Sequence, residues 1–390
     1  MHRRLAPLAA LALLLLTAAW SACTDDGPAA NVRALREPAW PELSEAPATM
    51  LFERATAGDE NVAHRISGTV QGASEGAMLS VDFGDGSPTQ RVAVHAGGAF
   101  ASDHVYASNG SFRVAARTIE GRPAYAETEV VVRPRHVVFV QGMNSESRCP
   151  DGARFADRAP SWVREQVQAS HAERPNVYRY FSYSGRYCGG GDGSNGAAAE
   201  YSGGDTCEGI AAVYAPRLRA LIEAVDGRVT VFAHSMGGLL AAYLVASDPA
   251  WAKDHIASVV TFDSPLGGLD GVRKSVLGGY SLFDGGCGRG AAAMDDLDGG
   301  SAVVSTAKGA GSVVAFYTLD GGSGESEVFG LAEAVPGDRT HIAAEVAHAE
   351  VDEEHSEVWS KRPGGSSSEK TRLVACALAN AAAGCAARPN

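Results

Sequence analysis

The segment 229–244 constrains the fold of this chain more than any other, because an apolar run rich in β-branched residues meets a turn of small residues and then a helix-forming run. Ser235 is at the centre of the turn, with Ala233 two residues before it and Gly237 two residues after it. A sharp strand-to-helix turn needs small residues at both places, since it brings neighbouring backbone too close for larger side chains. The pattern predicts a buried strand, a tight elbow and a helix, with the Ser235 hydroxyl exposed above the sheet edge. An ordinary helix capped by a serine is the alternative interpretation.

The predicted position of Ser235 has the surroundings that a nucleophile requires. The helix N-terminus and the N–H group of Met236 would face negative charge that develops on a substrate oxygen. A second N–H donor is expected from the loop after the apolar run 136–140, where Gly142 and Met143 follow. We assign this second donor to Met143.

A serine hydroxyl is a poor nucleophile until a neighbouring base takes its proton, so a histidine must accompany Ser235. His355 is the preferred base, because it lies in a polar segment between a strand candidate and a helix start. His341 and His348 are its competitors. His348 falls inside an alternating pattern typical of the last strand, and His341 precedes that strand.

Residues 135–390 resemble the α/β-hydrolase superfamily, whose α/β fold has a mostly parallel, doubly wound sheet. The elbow 232–238 carries the resemblance, and the run 261–268 is similar to the lipase and PGAP1-like deacylase branch. The resemblance implies an ester-cleaving site formed by Ser235, His355, Asp320 or Asp263, and the N–H groups of Met143 and Met236. In such a site the serine attacks the ester carbonyl, the histidine acts as base and then as acid, and water hydrolyses the acyl-enzyme. No metal or organic cofactor is required by that mechanism.

The identity of the acid stays open between two aspartates. Asp320 ends the apolar run 312–319, at the loop from which most α/β-hydrolases present their carboxylate, and it is preferred. Asp263 ends the earlier run 257–262, where some lipases place the acid. The Asp-Ser-Pro sequence at Asp263 also suits a purely structural turn, in which the carboxylate accepts backbone N–H groups.

Residues 59–133 consist of short alternating runs separated by Gly, Asp and Asn turns, which predicts a small, all-β, antiparallel sandwich. The run 81–87, followed by Tyr106 and a strand at 110–114, resembles a polycystic kidney disease (PKD) domain of immunoglobulin-like fold. The turn and the tyrosine are expected to have structural roles. A face that contacts matrix or polysaccharide is the functional alternative.

The first residues indicate export from the cytoplasm. Two arginines precede the uncharged run 5–20, and small residues follow before Cys23, which is typical of a secretory signal over residues 1–22. The position of Cys23 resembles a bacterial lipoprotein signal, which implies lipidation of Cys23 and attachment to the membrane through it. Simple secretion is the alternative. Residues 23–58 are expected to form a flexible tether after the lipidated cysteine.

The cysteine count agrees with an oxidising compartment. Of the 7 cysteines, those beyond Cys23 are even in number, which suits disulfides. Their pairing cannot be read from spacing, although Cys188 with Cys207 and Cys376 with Cys385 would close short local loops. No cysteine or histidine spacing is typical of a zinc site, so no metal is predicted. The formal net charge is −13, and nothing in the composition indicates nucleic-acid binding.

Together these features predict an extracytoplasmic serine hydrolase, a lipase or esterase that acts on an ester or lipid substrate. One alternative is a non-catalytic surface protein that functions in binding or adhesion. Another keeps the nucleophile on the same fold but transfers the acyl group to an alcohol or amine, or cleaves an amide.

Overall fold

The computed structural model describes residues 49–53, 58–60, 63–119, 123–149, 161–171, 178–193, 196–271, 287–288, 290–321, 340, 342–351, 353, 355–360 and 368–379. The predicted signal peptide, most of the predicted tether, Cys23, His341 and Cys385 lie outside the described residues.

Two β-sheets enclose one apolar core in the N-terminal part of the described chain. Their strands are β1 Met50–Phe52, β2 Gly58–Asp59, β3 Ala63–Val70, β4 Met78–Asp82, β5 Gln90–Ala93, β6 Ala99–Val105, β7 Gly110–Thr118 and β8 Tyr125–Arg133. One sheet has the order β1-β3-β6 and the other β2-β8-β7-β4-β5, with antiparallel pairs apart from β2 with β8. Alternate residues of β3 and β4 are buried, because one face of each strand packs on the core. This part of the chain is the predicted small β-sandwich.

Tyr106 is fully buried in this sandwich core. Its ring packs edge-on against His104, with centroids 4.7 Å apart, and Phe83 stacks on the same histidine at 3.9 Å. His104 Nε2 in turn lies 2.7 Å from Asp85 Oδ2, so the Asp-Gly turn is tied to the ring cluster. These contacts stabilise the sandwich.

A parallel sheet of six strands forms the second part of the described chain. The strands are β9 His136–Val140, β10 Tyr178–Tyr180, β13 Val229–His234, β14 Ile256–Phe262, β15 Ala315–Gly321 and β16 Ala347–Val351; a separate pair is β11 Arg186–Tyr187 with β12 Ala199–Glu200. The order in the large sheet is β10-β9-β13-β14-β15-β16. Strands β9 and β14 are buried along their whole length, because a parallel sheet covered on both faces consists of apolar runs. This is the doubly wound sheet of α/β-hydrolases, as predicted.

Helices cover both faces of the large sheet. They are α1 Ser161–His171, α2 Ala215–Glu223, α3 Met236–Ser247, α4 Pro249–His255, α5 Ala292–Asp296, α6 Ala302–Ala307, α7 His355–Ser360 and α8 Ser368–Ala379. Ser258 of β14 donates a hydrogen bond to Ala377 O of α8, whereas Thr261 lies against Gly238 of α3. Residues three apart in a strand point to opposite faces, so α8 and α3 lie on opposite sides. Within the described part of the chain, none of the helices has the length and apolar character needed to cross a membrane.

The order of strands creates a crevice at one end of the sheet. From β9 the chain passes to β10 on one side and then returns to β13 on the other. The loops that leave β9 and β13 therefore run in opposite directions, and such a switch point is where doubly wound proteins bind ligands. The loop that begins at Gln141 and the elbow at Ser235 both lie at this switch point.

The observed disulfide pairing differs from the local pairing that the sequence suggested. Cys149 is bonded to Cys188 and Cys207 to Cys287, so the suggested pairing of Cys188 with Cys207 is wrong. Each bond connects segments that the fold, and not the local sequence, brings together. Cys376 is also disulfide-bonded.

Charged residues join the sandwich to the large sheet. Asp59 of β2 is buried and pairs with Arg133 at 3.2 Å and with Arg228, which precedes β13, at 2.8 Å. Arg135, in the connection from β8 to β9, is fully buried and donates to the carbonyls of Ala377 and Leu378 at the end of α8. Burial lowers the pKa of Arg135 to about 10. This connection is therefore anchored on both sides.

Candidate active site

Ser235 occupies a strained elbow between β13 and α3. Its φ is 53° and its ψ is −129°, a conformation that residues other than glycine rarely adopt. Hydrogen bonds from Ser235 N to Phe262 O at 3.0 Å and from Gly238 N to Ser235 O at 2.9 Å hold it there. The strand, elbow and helix thus lie where the sequence pattern predicts them.

The small residues of the elbow are required by close backbone contacts. A Cβ atom at Gly237 would lie 2.5 Å from Gln141 O, and one at Gly238 would lie 2.1 Å from Ser264 Oγ. Ala233 is completely buried. Helix α3 therefore begins against both the β9 loop and the segment after β14, which locks the nucleophile segment between them.

The loop after β9 lies directly beside the nucleophile. A Cβ atom at Gly142 would be 2.6 Å from Ser235 Cβ and 3.0 Å from Ser235 Oγ, so only glycine fits. Met143 follows Gly142 and Met236 follows Ser235, which brings the two predicted oxyanion donors to the same end of the sheet. Their role as donors stays a prediction.

Hydrogen bonds from the neighbouring loops hold this β9 loop in place. Tyr183, which is fully buried, donates its hydroxyl proton to Gln141 O at 2.5 Å. Asn144 has a φ of 61°, and its N–H group donates to Thr206 Oγ1 at 3.0 Å. Cys287 N donates to Asn144 Oδ1 at 3.3 Å, which connects the loop to the Cys207–Cys287 disulfide.

His355, the first residue of α7, contacts a buried carboxylate. Its Nδ1 donates to Asp263 Oδ2 over 2.5 Å. Asp263 directly follows β14, is 2% exposed and has a φ of 42°, and its N–H group donates to Leu319 O at 2.6 Å. An imidazole whose Nδ1 is held by a carboxylate keeps Nε2 for proton transfer.

The structure corrects our preference for Asp320 as the acid. Asp320 lies within β15 and is the register partner of Glu350 in β16. The next residue, Gly321, faces the site, since a Cβ atom there would lie 3.7 Å from Asp263 Cγ. Successive side chains of a strand point to opposite faces, so Asp320 points away from Asp263. Asp263, the alternative, is the carboxylate that reaches His355.

His348 belongs to a second group of polar side chains. It lies in β16, as its alternating pattern predicts, and its Nδ1 is 2.7 Å from Thr318 Oγ1. One ligand atom each from Asp320, His348 and Glu350 lies within 4.8 Å of the others. These three side chains are close enough together to hold a cation.

His234 is a residue of the site that we did not predict, although it stands in the motif beside Ser235. Its Nε2–H donates to the backbone carbonyl of His355 at 2.9 Å, and the two ring centroids are 4.6 Å apart. The ring also stacks on Trp359, with centroids 5.7 Å apart. Burial lowers the pKa of His234 to about 3, and the nearby His355 ring adds to the effect.

The arrangement combines the parts needed for acyl transfer. A strained serine, a histidine held by a buried aspartate and a glycine-containing loop beside the serine lie at the carboxyl ends of neighbouring strands. Such a set can activate a hydroxyl and offer N–H groups to an oxyanion.

A known protein family matches a part of the chain that includes the elbow. The model of the lecithin:cholesterol acyltransferase family matches residues 211–282. The matched segment contains Ser235 and Asp263 but not His355, and it is well under half of the chain. A search of curated proteins gave no match.

Solved structures resemble separate parts of the chain. The pyrethroid hydrolase PytH is 12% identical, with 64% of this chain and 98% of that chain covered and a TM-score of 0.34. The PKD domain of the human VPS10 domain-containing receptor SorCS2 is 22% identical, with 24% and 83% covered and a TM-score of 0.18. For a membrane-anchored protein from Corynebacterium diphtheriae the identity is 15% and the TM-score 0.20; the match covers 27% of this chain and spans 23% of that one. The fold assignment rests on strand order and not on these likenesses.

Proposed function

We propose that this protein is an extracytoplasmic serine hydrolase that cleaves carboxylic esters with Ser235 as nucleophile, His355 as base and Asp263 as acid. The observation that carries the proposal is the 2.5 Å hydrogen bond between His355 and Asp263, formed at the same end of the sheet as the strained Ser235. An ordinary helix cap would need neither the strain nor the paired histidine.

In the proposed reaction, Ser235 Oγ attacks the ester carbonyl carbon while His355 Nε2 takes the hydroxyl proton. The carbonyl oxygen becomes negative and accepts hydrogen bonds from the N–H groups of Met143 and Met236. The tetrahedral intermediate collapses, the alcohol leaves with the proton from His355, and an acyl-serine remains. Water then attacks this ester with His355 again as base, which releases the carboxylic acid and restores the serine.

A fluorophosphonate probe and nitrophenyl esters of increasing acyl length test the proposal. Wild-type protein should be labelled at Ser235 and turn over at least one ester, whereas Ser235→Ala should lose both activities. Ser247→Ala is the matched control, because Ser247 lies at the other end of α3, where its hydroxyl donates to Leu244 O. Turnover that persists in Ser235→Ala would refute the mechanism. The preferred acyl length would separate an esterase from a lipase.

The proposed location outside the cytoplasm is supported by the disulfides Cys149–Cys188 and Cys207–Cys287. We further propose that lipidated Cys23 attaches the protein to a membrane, while contact of the PKD-like sandwich with matrix or polysaccharide stays the alternative to a structural role for that domain. If Cys23 is lipidated, Cys23→Ser should move the protein from the membrane fraction to the medium. An unchanged distribution would refute the anchor.

Acyl transfer is the second candidate function. It is favoured by the segment similar to the lecithin:cholesterol acyltransferase family, which includes the nucleophile elbow. Both reactions share the acyl-enzyme, and they differ in whether water or an alcohol resolves it. Product analysis with a competing long-chain alcohol distinguishes them: a dominant new ester indicates transfer, and a dominant free acid indicates hydrolysis.

A further inference from the structure

We propose that His234 is a positioning residue for the catalytic base: its Nε2–H group holds the backbone carbonyl of His355, so the residue before the nucleophile sets the location of the imidazole. This inference rests on the proposed function. It assigns a role to a side chain that neither attacks the substrate nor occupies a position in the Ser235, His355 and Asp263 triad.

The direction of the hydrogen bond identifies the tautomer of His234. A carbonyl oxygen only accepts, so the 2.9 Å contact with His355 O requires a proton on His234 Nε2. Burial disfavours the charged ring and the neighbouring His355 disfavours it further. His234 is therefore a neutral donor over the pH range in which a serine hydrolase works, and this contact does not titrate there.

With this bond, His355 is attached at two points. Its side chain is held by Asp263 through Nδ1, and its backbone is held by His234 through the carbonyl. The first attachment sets the rotation of the ring, and the second sets the distance of the first residue of α7 from the end of β13. Both are needed to place Nε2, since a misplacement of 1 Å at a reacting group can cost about 10²-fold in rate.

The strand that ends at His234 leads directly into the proposed nucleophile. Ser235 follows His234 directly at the end of β13, whereas His355 arrives 120 residues later on a different element. The hydrogen bond from His234 to His355 thus couples the base to the nucleophile, because a single peptide bond joins His234 to Ser235. This hydrogen bond is a direct polar link between the end of β13 and the start of α7.

Packing alone is the competing explanation for His234. Its ring contacts the rings of His355 and Trp359, and Trp359 packs edge-on against Phe262 at 5.1 Å. An aromatic ring without a donor would keep these contacts and lose only the hydrogen bond. Phenylalanine and glutamine at position 234 therefore separate the two explanations.

The experiment compares His234→Phe with His234→Gln, using the best ester from the nitrophenyl panel. His234→Phe keeps an aromatic ring without a donor, and we expect kcat to fall by about 10- to 100-fold with KM within about two-fold of wild type. His234→Gln restores an N–H donor of similar reach, and we expect it to recover most of the lost kcat. Thermal unfolding shows whether each variant is folded.

A spectroscopic signature gives a readout that needs no substrate. The proton in the short His355 Nδ1–Asp263 Oδ2 bond should give a low-field NMR resonance in wild type and in Ser235→Ala. We expect it to shift or broaden in His234→Phe and to be retained in His234→Gln. A packing role would leave the resonance in place in both variants.

The outcomes separate the two proposals. If wild type is neither labelled nor active, the proposed function fails and the positioning role falls with it. If wild type is active and folded His234→Phe matches it in kcat and in the low-field resonance, only the inference about His234 is overturned. If His234→Phe does not fold, a His234→Gln variant that is folded but as inactive as Ser235→Ala also overturns it.

Discussion

At the scale of single residues, Ser235 and Asp263 have the same kind of backbone strain. Each directly follows a strand of the large sheet and has a positive φ, 53° for Ser235 and 42° for Asp263. Such a conformation costs about 1–3 kcal/mol, so it persists only where the surrounding contacts impose it. Both strained residues lie at the same end of neighbouring strands, where the proposed nucleophile and the proposed acid are needed.

The assignment of the acid predicts opposite results for two aspartates. Asp263→Asn should lower kcat by about 10³- to 10⁴-fold, because an amide no longer supports the correct tautomer and charge of His355. Asp320→Asn is the matched control, since Asp320 is equally buried but points to the other face. We expect it to change kcat by less than about ten-fold. Nitrophenyl ester kinetics of both variants would contradict the assignment if the order were reversed.

His234 also predicts how stability responds to acid. Its pKa is about 3 in the folded protein, below the ordinary value of 6.5, so the unfolded chain binds the proton more readily. The stability from this neutral histidine is fully present above pH 6.5 and is lost as the pH falls toward 3. We expect the free energy of unfolding, measured with urea at several pH values, to change less steeply with pH in His234→Phe than in wild type. The difference in slope should be up to about 1.4 kcal/mol per pH unit. Equal slopes would contradict this account.

At the scale of elements, the contact between α3 and the β9 loop decides whether the elbow can form. The Cβ position of Gly237 points at two backbone oxygens, Gln141 O at 2.5 Å and Val140 O at 2.8 Å. Backbone cannot move aside as a flexible side chain can. The start of α3 and the end of β9 must therefore adjust together if this residue changes.

Gly237→Ala should reduce the free energy of unfolding by about 1–3 kcal/mol, because overpacking forces the two elements apart. We also expect slower fluorophosphonate labelling, since the β9 loop lies on Ser235. Gly309→Ala is the control, with its nearest atom at 3.6 Å and a φ of −80°. Urea denaturation and labelling rates measure both effects, and similar values for the two variants would refute the overpacking.

Local patterns predicted the elements that short segments of sequence determine. The strand before Ser235, the small residues of the elbow and the place of His348 in β16 follow from periodicity and side-chain size. The choice between the two candidate acids was not determined locally, because Asp263 and Asp320 both lie at the end of a buried strand. The hydrogen bond from His355 to Asp263 and the alternation of β15, with Gly321 facing the site, separate them.

Contacts between residues far apart in the chain could not be predicted from the sequence, because they too depend on the tertiary fold. The Cys207–Cys287 bond spans 80 positions, and the bond from His234 to His355 joins β13 to α7. Each depends on how loops pass over the sheet, and no local pattern encodes that path. The position of His355 at the start of α7 was predictable, since a polar segment before a helix is visible in the sequence.

At the scale of the whole molecule, buried charge couples the β-sandwich to the large sheet. Asp59 is 3% exposed and neutralises Arg133, at the end of the sandwich, and Arg228, before β13. The arginine side chains are 33% and 26% exposed, so solvent screens part of the attraction. The β-sandwich and the large sheet should therefore unfold cooperatively.

Asp59→Ala should lower the free energy of unfolding by about 2–3 kcal/mol, because it leaves two arginines without their buried partner. Asp103→Ala is the control, since its pair with Arg65 is exposed and worth less than about 1 kcal/mol. Differential scanning calorimetry should also show the unfolding transition of Asp59→Ala broadening or splitting. A single unshifted transition would contradict the coupling.

The Cys207–Cys287 bond closes a covalent ring, and both Ser235 and Asp263 lie inside that ring while His355 lies outside it. A protease that cuts one peptide bond of the ring would leave the fragments bearing nucleophile and acid tied together. A cut between the ring and the base would separate them in sequence, with only folded contacts left to hold the triad. The nicked protein should therefore keep more of its activity after a cut between residues 207 and 287 than after a cut between residues 288 and 354, provided the disulfide stays oxidised.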